Sequence, residues 1–412
     1  MNPNKFLYKC TDCGREYSTG ETIYLCPACC ITNRATNPPS GVLKILYDYS
    51  DLRKKDYRFD DLKKSGFADL LPIASLDSYP SLRVGNTPLY TMNTVDGERV
   101  PFRLHLKDDS QNPTYSFKDR ASALVSAYAV EHDLGTIVTA STGNAGSSLA
   151  GICASKGQKA VIMVPETAPL AKLTQIIMYG ATLVPVKGTY DDAFDLSIRA
   201  SEEFGWYNRN TAYNPLTIEG KKTVSFELFD QLQFKVPDRI FVPVGDGVII
   251  SGIYKGFEDL MQLNLIDRMP VIIAVQSEKS DNLVRNIGMK EFSVIPSSTI
   301  ADSISVDIPR NFFMTRGYMQ QYGGEAITVS DEEITRASSV LSASTGLFAE
   351  PAAAAAFAGL LSYLRDNRIT ENSDNVVMLT GSGLKDLKSV ASIIRMPESI
   401  PPSIEELKRL LA

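Results

Sequence analysis

Asn112-Pro113-Thr114-Tyr115-Ser116-Phe117-Lys118-Asp119-Arg120 sets one lysine at the start of a helix that is otherwise apolar. Pro113 halts any helix before it. Ser116 and Asp119 have the S-x-x-D form of a capping box, which predicts a helix with Lys118 at its second position. The run that follows, Ala121-Ser122-Ala123-Leu124-Val125-Ser126-Ala127-Tyr128, has few side chains able to solvate a cation, so the helix is expected to be packed on most sides. A lysine here is either a surface cation paired with Asp119 or an amine made less basic by the helix end and by burial. In the second case it is a nucleophile able to form a Schiff base.

Outward from this stretch the pattern is regular. Strand-like runs at 102–106, 136–140, 159–164, 182–186, 239–244, 271–275 and 376–380 alternate with helical stretches, and Arg83-Val-Gly-Asn-Thr-Pro-Leu-Tyr90 reads as a turn leading into a strand. The alternation predicts an α/β fold with parallel sheets covered on both faces. Glu350-Pro351 followed by an alanine run reads as a closely packed helix with proline at its first turn.

The chain has 412 residues, 44% of them apolar, enough for a substantial core and two or three domains. A formal charge of -6 with mixed signs argues against a nucleic-acid groove or a membrane-surface patch. The N-terminus carries no hydrophobic leader and no run is long enough to span a bilayer, so a cytoplasmic protein is expected. Cys10-x-x-Cys13 and Cys26-x-x-Cys29 are two knuckles separated by twelve residues, a spacing that suits four thiolates around one structural zinc ion, with Cys30 able to stand in for Cys29.

In such folds ligands sit where strand ends meet helix starts. Three junctions are unusual. Ser141-Thr142-Gly143-Asn144 offers hydroxyls and free N–H groups to an anion such as a carboxylate. Gly245-Asp246-Gly247-Val248-Ile249 has a backbone suited to cradling a phosphate. Thr380-Gly381-Ser382-Gly383 puts a hydroxyl where a heterocyclic nitrogen could meet it. Each is equally readable as an ordinary turn. Together with a capped lysine they are the groups that pyridoxal phosphate requires.

With Glu219-Gly-Lys-Lys-Thr223, Glu350-Pro-Ala and Thr380-Gly-Ser-Gly-Leu-Lys-Asp386 added, the chain resembles the threonine synthases among the tryptophan-synthase-β-like pyridoxal phosphate enzymes, over nearly its whole length. The resemblance implies the two open twisted sheets of fold type II. A zinc ribbon is expected at 1–40, a large α/β domain at 41–123 and 215–412, and a small inserted α/β domain at 124–214; relatives are commonly homodimers. It also implies that Lys118 is bonded to the cofactor, that Asn144 meets its phenolic oxygen and that Thr380 meets its ring nitrogen. Residues 245–249 would hold its phosphate, and Ser141, Thr142 and Asn144 the carboxylate of a small amino-acid substrate.

The implied reaction is O-phosphohomoserine plus water to threonine plus phosphate. The alternative is cysteate synthase, which joins O-phosphoserine and sulfite, or another β-replacement enzyme or ammonia-lyase. Threonine synthases usually have glycine at Tyr115 and at Ala121, and G-N-A-G-N at 245–249. Many have an arginine at Thr217 that pairs with the substrate phosphate; Lys107, Arg209, Lys221 and Lys222 are candidates to supply that charge, and Tyr115 is expected to narrow the cavity.

Overall fold

The computed structural model describes residues 5–19, 22–34, 36–55, 58–168, 170–391 and 394–411. The first four residues, part of the segment read above for a leader, lie outside them. Among the described residues no helix is long and apolar enough to cross a membrane.

β1 (Phe6–Cys10) and β2 (Glu16–Tyr17) carry the first cysteine knuckle, and β3 (Leu43–Tyr47) completes an antiparallel sheet of order β2-β1-β3. In β1 and β3 alternate residues are buried, so Phe6, Tyr8 and Cys10 face inward with Leu43, Ile45 and Tyr47. A hairpin follows, β4 (Leu89–Val95) and β5 (Glu98–Asp108). Next come β6 (Thr136–Ala140), β7 (Lys159–Pro165), β8 (Thr182–Val186) and β9 (Tyr207–Asn208), a parallel sheet of order β8-β7-β6-β9. The remaining strands, β10 (Arg239–Pro243), β11 (Val271–Ser277), β12 (Glu325–Val329) and β13 (Asp374–Leu379), join the hairpin in a six-stranded sheet of order β12-β11-β10-β13-β5-β4. Its neighbours run parallel apart from β4, which is antiparallel at the edge.

Most of the strands read from sequence carry buried runs, although β8 was also read and has no fully buried residue. Ile240, Phe241 and Val242 of β10 and Ile272 to Val275 of β11 are inaccessible because helices cover both faces. β12 lies at an edge with only Val329 buried, so it has no apolar run to betray it.

The Lys118–Glu131 helix is buried at every residue from 119 to 129, as its composition requires. Two helices pin it. Gly220 of the Leu216–Gln231 helix abuts the Arg120 carbonyl so closely that an added Cβ would collide with it, and Ser148 of the Asn144–Lys156 helix donates to the Ser122 hydroxyl at 2.7 Å.

The helix start differs from the expected box. Lys118 is the first helical residue, Phe117 precedes it without a side-chain cap, and the Ser116 hydroxyl is buried without a partner. The Asp119 carboxylate instead accepts from the Thr114 N–H at 2.7 Å and the Thr114 hydroxyl at 2.5 Å. The cause is the approach of the chain: Tyr115 adopts φ +67°, and the Phe117 N–H donates to Thr380 O at 2.9 Å, so the chain enters through a turn tied to the end of β13.

Candidate active site

A cavity of about 520 Å³ lies where the two parallel sheets face each other. Lys118 lines it, together with Ser141 to Asn144 after β6, Gly245 to Ile249 after β10, and Thr380 after β13. The three strand-to-helix junctions picked out in the sequence therefore converge on one lysine.

Lys118 is held there by a buried polar lattice. Arg120, two residues on, donates from Nε to Asp109 at 2.6 Å and from Nη1 to Glu227 at 2.6 Å, and also reaches Thr223. Asn112 accepts from the Gly85 N–H at 2.8 Å and donates to Asp109 O. The Asn112–Arg120 segment thus combines a lysine with the residues that fix its backbone. Burial lowers the basicity of the Lys118 amine; Glu350 opposes that shift and Arg209 adds to it.

The turn at 245–249 opens the Val248–Gln262 helix, so its N–H groups have no intrahelical partners. Gly247 sits at φ +86°, and a side chain there would collide with the Thr315 hydroxyl. At Gly245 a Cβ would come within 3.0 Å of Ile304 Cα. Asp246, where the resemblance expects asparagine, accepts the Arg310 N–H at 3.1 Å and so ties the turn to the loop opposite.

Asn144 donates to both oxygens of Glu350, at 2.9 and 3.0 Å. Burial raises the Glu350 carboxyl above its usual range, and the bond from Asn144 counteracts this. Glu350 was read only as a helix start; its Glu-Pro-Ala setting was the available signal that it faces the cavity. Lys385 is the other residue whose role was missed. Its ammonium reaches Thr114 O at 2.9 Å, Ser147 Oγ at 2.9 Å and Gln175 Oε1 at 2.8 Å, binding helices of both sheets together.

Four expectations are corrected. Thr217 does not line the cavity: its hydroxyl turns back to donate to Asn214 O at 2.7 Å in the first turn of its helix. Lys107 is fully buried elsewhere, bonded to Glu227 at 2.6 Å, Gln231 at 2.9 Å and Thr87 O at 2.8 Å, so it is no substrate ligand. Lys222 is consumed by Glu219 and Asp259, at 2.5 and 2.7 Å. Tyr115 is 53% exposed and does not narrow the cavity; glycine suits that position because its φ is positive. Of the four candidate cations, Lys221 alone lines the cavity, with Arg209 behind it bonded to Thr211 at 2.8 Å.

At the N-terminus the sulfurs of Cys10, Cys13, Cys26 and Cys29 all lie within 4.8 Å of one another, as four metal ligands must. Cys30 is excluded from the set, its sulfur facing Pro27 O. Tyr24 joins this ribbon to the small sheet: its hydroxyl accepts from the Asn208 N–H at 2.9 Å, and its ring stacks on Tyr213 with ring centres 4.7 Å apart.

A buried amine of lowered basicity, a glycine cradle at a helix start and an anion turn across one cavity define an enzyme built around a phosphorylated carbonyl cofactor. The chain belongs to the pyridoxal-phosphate-dependent enzymes, whose family model matches residues 80–381. It is similar to the threonine synthase of Methanocaldococcus jannaschii, 34% identical over 98% of this chain and 99% of that one. The threonine synthase of Methanosarcina acetivorans is likewise 34% identical over 98% of each chain. The fold is that of threonine deaminase isoform 2 from Solanum lycopersicum, with a TM-score of 0.65 and 21% identity over 84% of this chain and 90% of that chain.

Proposed function

We propose that this enzyme is a threonine synthase, converting O-phosphohomoserine and water to threonine and phosphate. The observation that carries the reading is Lys118, a buried amine of lowered basicity between a phosphate cradle and a carboxylate turn. Near-full-length similarity to threonine synthases supports it.

Lys118 would hold the cofactor, the N–H groups of 245–249 its phosphate, Asn144 its phenolic oxygen and Thr380 its ring nitrogen. When bound, pyridoxal phosphate supplies an electron sink that acidifies the amino acid's Cα–H and lets a substituent further along the chain depart. A neutral hydroxyl at Thr380 leaves the ring nitrogen unprotonated, which favours elimination and replacement. The Lys118 amine, made less basic by burial, takes the Cα proton and then a Cβ proton as phosphate leaves from Cγ, and returns protons to Cγ and Cα. Ser141 and Thr142 orient the substrate carboxylate at the start of the Asn144–Lys156 helix. Water then adds at Cβ.

The test is phosphate release by the cofactor-loaded enzyme from O-phosphohomoserine and from O-phosphoserine, each with and without sulfite. Threonine formed from O-phosphohomoserine alone is expected. Release confined to O-phosphoserine and sulfite would replace this reading with cysteate synthesis. We also take the four-cysteine cluster to hold zinc: four thiolates at this spacing make a closed site, so the ion would stabilise the ribbon and take no part in chemistry.

A further inference from the structure

Two buried basic side chains beside the cavity each have a nitrogen with no hydrogen-bond partner among the described residues. The Lys221 ammonium, on a side chain with no exposure, faces the cavity and makes no hydrogen bond, and neither does Nη2 of the equally buried Arg209. Arg209 uses its other nitrogens on Ser122 and Thr211, and Thr211 also lines the cavity. Among the cations lining the cavity, Arg310 is already paired with Asp191.

Burial, with Lys118 and Arg209 nearby, holds the Lys221 amine well below the usual lysine range, and an anion arriving beside it supplies the counter-charge that its ionised form needs. Gly252 of the neighbouring helix packs against the Lys221 Cβ, where any side chain at 252 would collide with it at 2.7 Å.

Resting on the function proposed above, we infer that Lys221, backed by Arg209, binds the phosphate ester of the substrate. The cavity has three anion-binding features, and the reacting pair brings three anionic groups. The 245–249 turn serves the cofactor phosphate and the Ser141 turn serves the carboxylate. The Lys221 nitrogen and Nη2 of Arg209 are left for a dianion, the group that departs. Thr217 and Lys221 are one helical turn apart, so they stand on the same side of the helix, and Lys221 is the one that lines the cavity. A cation at the leaving phosphate also offsets the charge that builds on it as the Cγ–O bond breaks.

The experiment is calorimetric titration of the cofactor-loaded parent, Lys221→Gln, Lys221→Met and Lys221→Arg with O-phosphohomoserine, inorganic phosphate and L-threonine. Lys221→Gln should bind the two phosphates about ten- to a hundredfold more weakly, as expected for a charge-assisted contact, while binding L-threonine and retaining cofactor like the parent; Lys221→Arg should recover most of the loss. If Lys221→Gln does not fold, Lys221→Met carries the same titrations.

Without substrate, cofactor-loaded Lys221→Met should melt at or above the parent, because it fills the same space without the charge. A lower melting temperature with loosened cofactor would assign Lys221 to the cofactor phosphate and overturn the inference. So would unchanged phosphate binding in Lys221→Gln. A parent that prefers no phosphorylated amino acid over threonine would overturn the substrate reading and this inference together, whereas a parent with that preference and an indifferent Lys221→Gln would overturn this inference alone.

Discussion

The Asn144 amide nitrogen lies 2.9 and 3.0 Å from the two carboxylate oxygens of Glu350, so one side chain after β6 in the small sheet holds one at the start of the alanine helix. Both residues line the cavity between the two sheets. Glu350→Gln keeps the shape but offers a single acceptor and sets a donor against a donor. The expected cost is about 1–3 kcal/mol in urea or thermal unfolding, the value of a buried bond to a charged group. An unchanged midpoint would show that the contact does not hold the sheets together.

Lys118→Ala should fold, because the helix is fixed by its neighbours Asp119 and Arg120, yet it should lack the visible absorption of a lysine-bound cofactor and release no phosphate from O-phosphohomoserine. Absorption identical to the parent's would remove Lys118 from its assigned role.

Arg120 lies between Asp109 and Glu227, with all three side chains largely out of solvent. Arg120→Ala strands two carboxylates and should destabilise the protein by about 3–5 kcal/mol. Denaturant unfolding measures this, and a cost below about 1 kcal/mol would mean that Lys107 alone satisfies Glu227.

Asp374 begins β13 and is held from 3.8 down to about 2, chiefly by its bond from Arg103, with burial opposing and His105 2.9 Å away assisting. A depressed carboxyl stabilises the fold where it is ionised and loses that contribution as pH falls through the folded value. The parent should therefore lose more stability than Asp374→Asn between about pH 4 and pH 2. Parallel acid curves for the two proteins would sink the assignment.

If the four-cysteine cluster holds zinc, Cys26→Ser should lower the metal content measured by elemental analysis and lower the melting temperature, and a strong chelator should do the same to the parent. A metal-free protein with an unaltered melting temperature would leave the cluster without a stabilising role.

What the sequence made legible was local. The cysteine knuckles, the glycine turns and the lysine after Asn112-Pro113 announce themselves within a few residues, and the buried strands do so by composition. What stayed hidden depends on distant chain. Lys107 looked like a free cation because Glu227, which pairs with it, is 120 residues away. Thr217 is a local exception: the resemblance placed a substrate contact there, whereas its hydroxyl donates to Asn214 O three residues back. The Ser116–Asp119 spacing fitted a capping box, but the bond from Phe117 to Thr380 decides how the chain enters the helix. Glu350 was hidden by its position, since a helix-opening glutamate before proline has a sufficient explanation in the helix alone.

The glycine contacts of the Leu216–Gln231 helix have a bearing on selectivity. Gly220 meets the backbone at Arg120, and Gly256 of the next helix meets the Lys222 carbonyl, so the helix touches its neighbours main chain to main chain. It can neither roll nor slide without a clash. Lys118 and Lys221 thus stand on two helices in main-chain contact, and if Lys221 holds the substrate phosphate as proposed, the interval between them would act as a ruler for the substrate. A skeleton one carbon shorter would have to give up either the reacting amine or the far cation, so the enzyme would choose between phosphorylated amino acids by length rather than by any group that recognises the carbon chain itself.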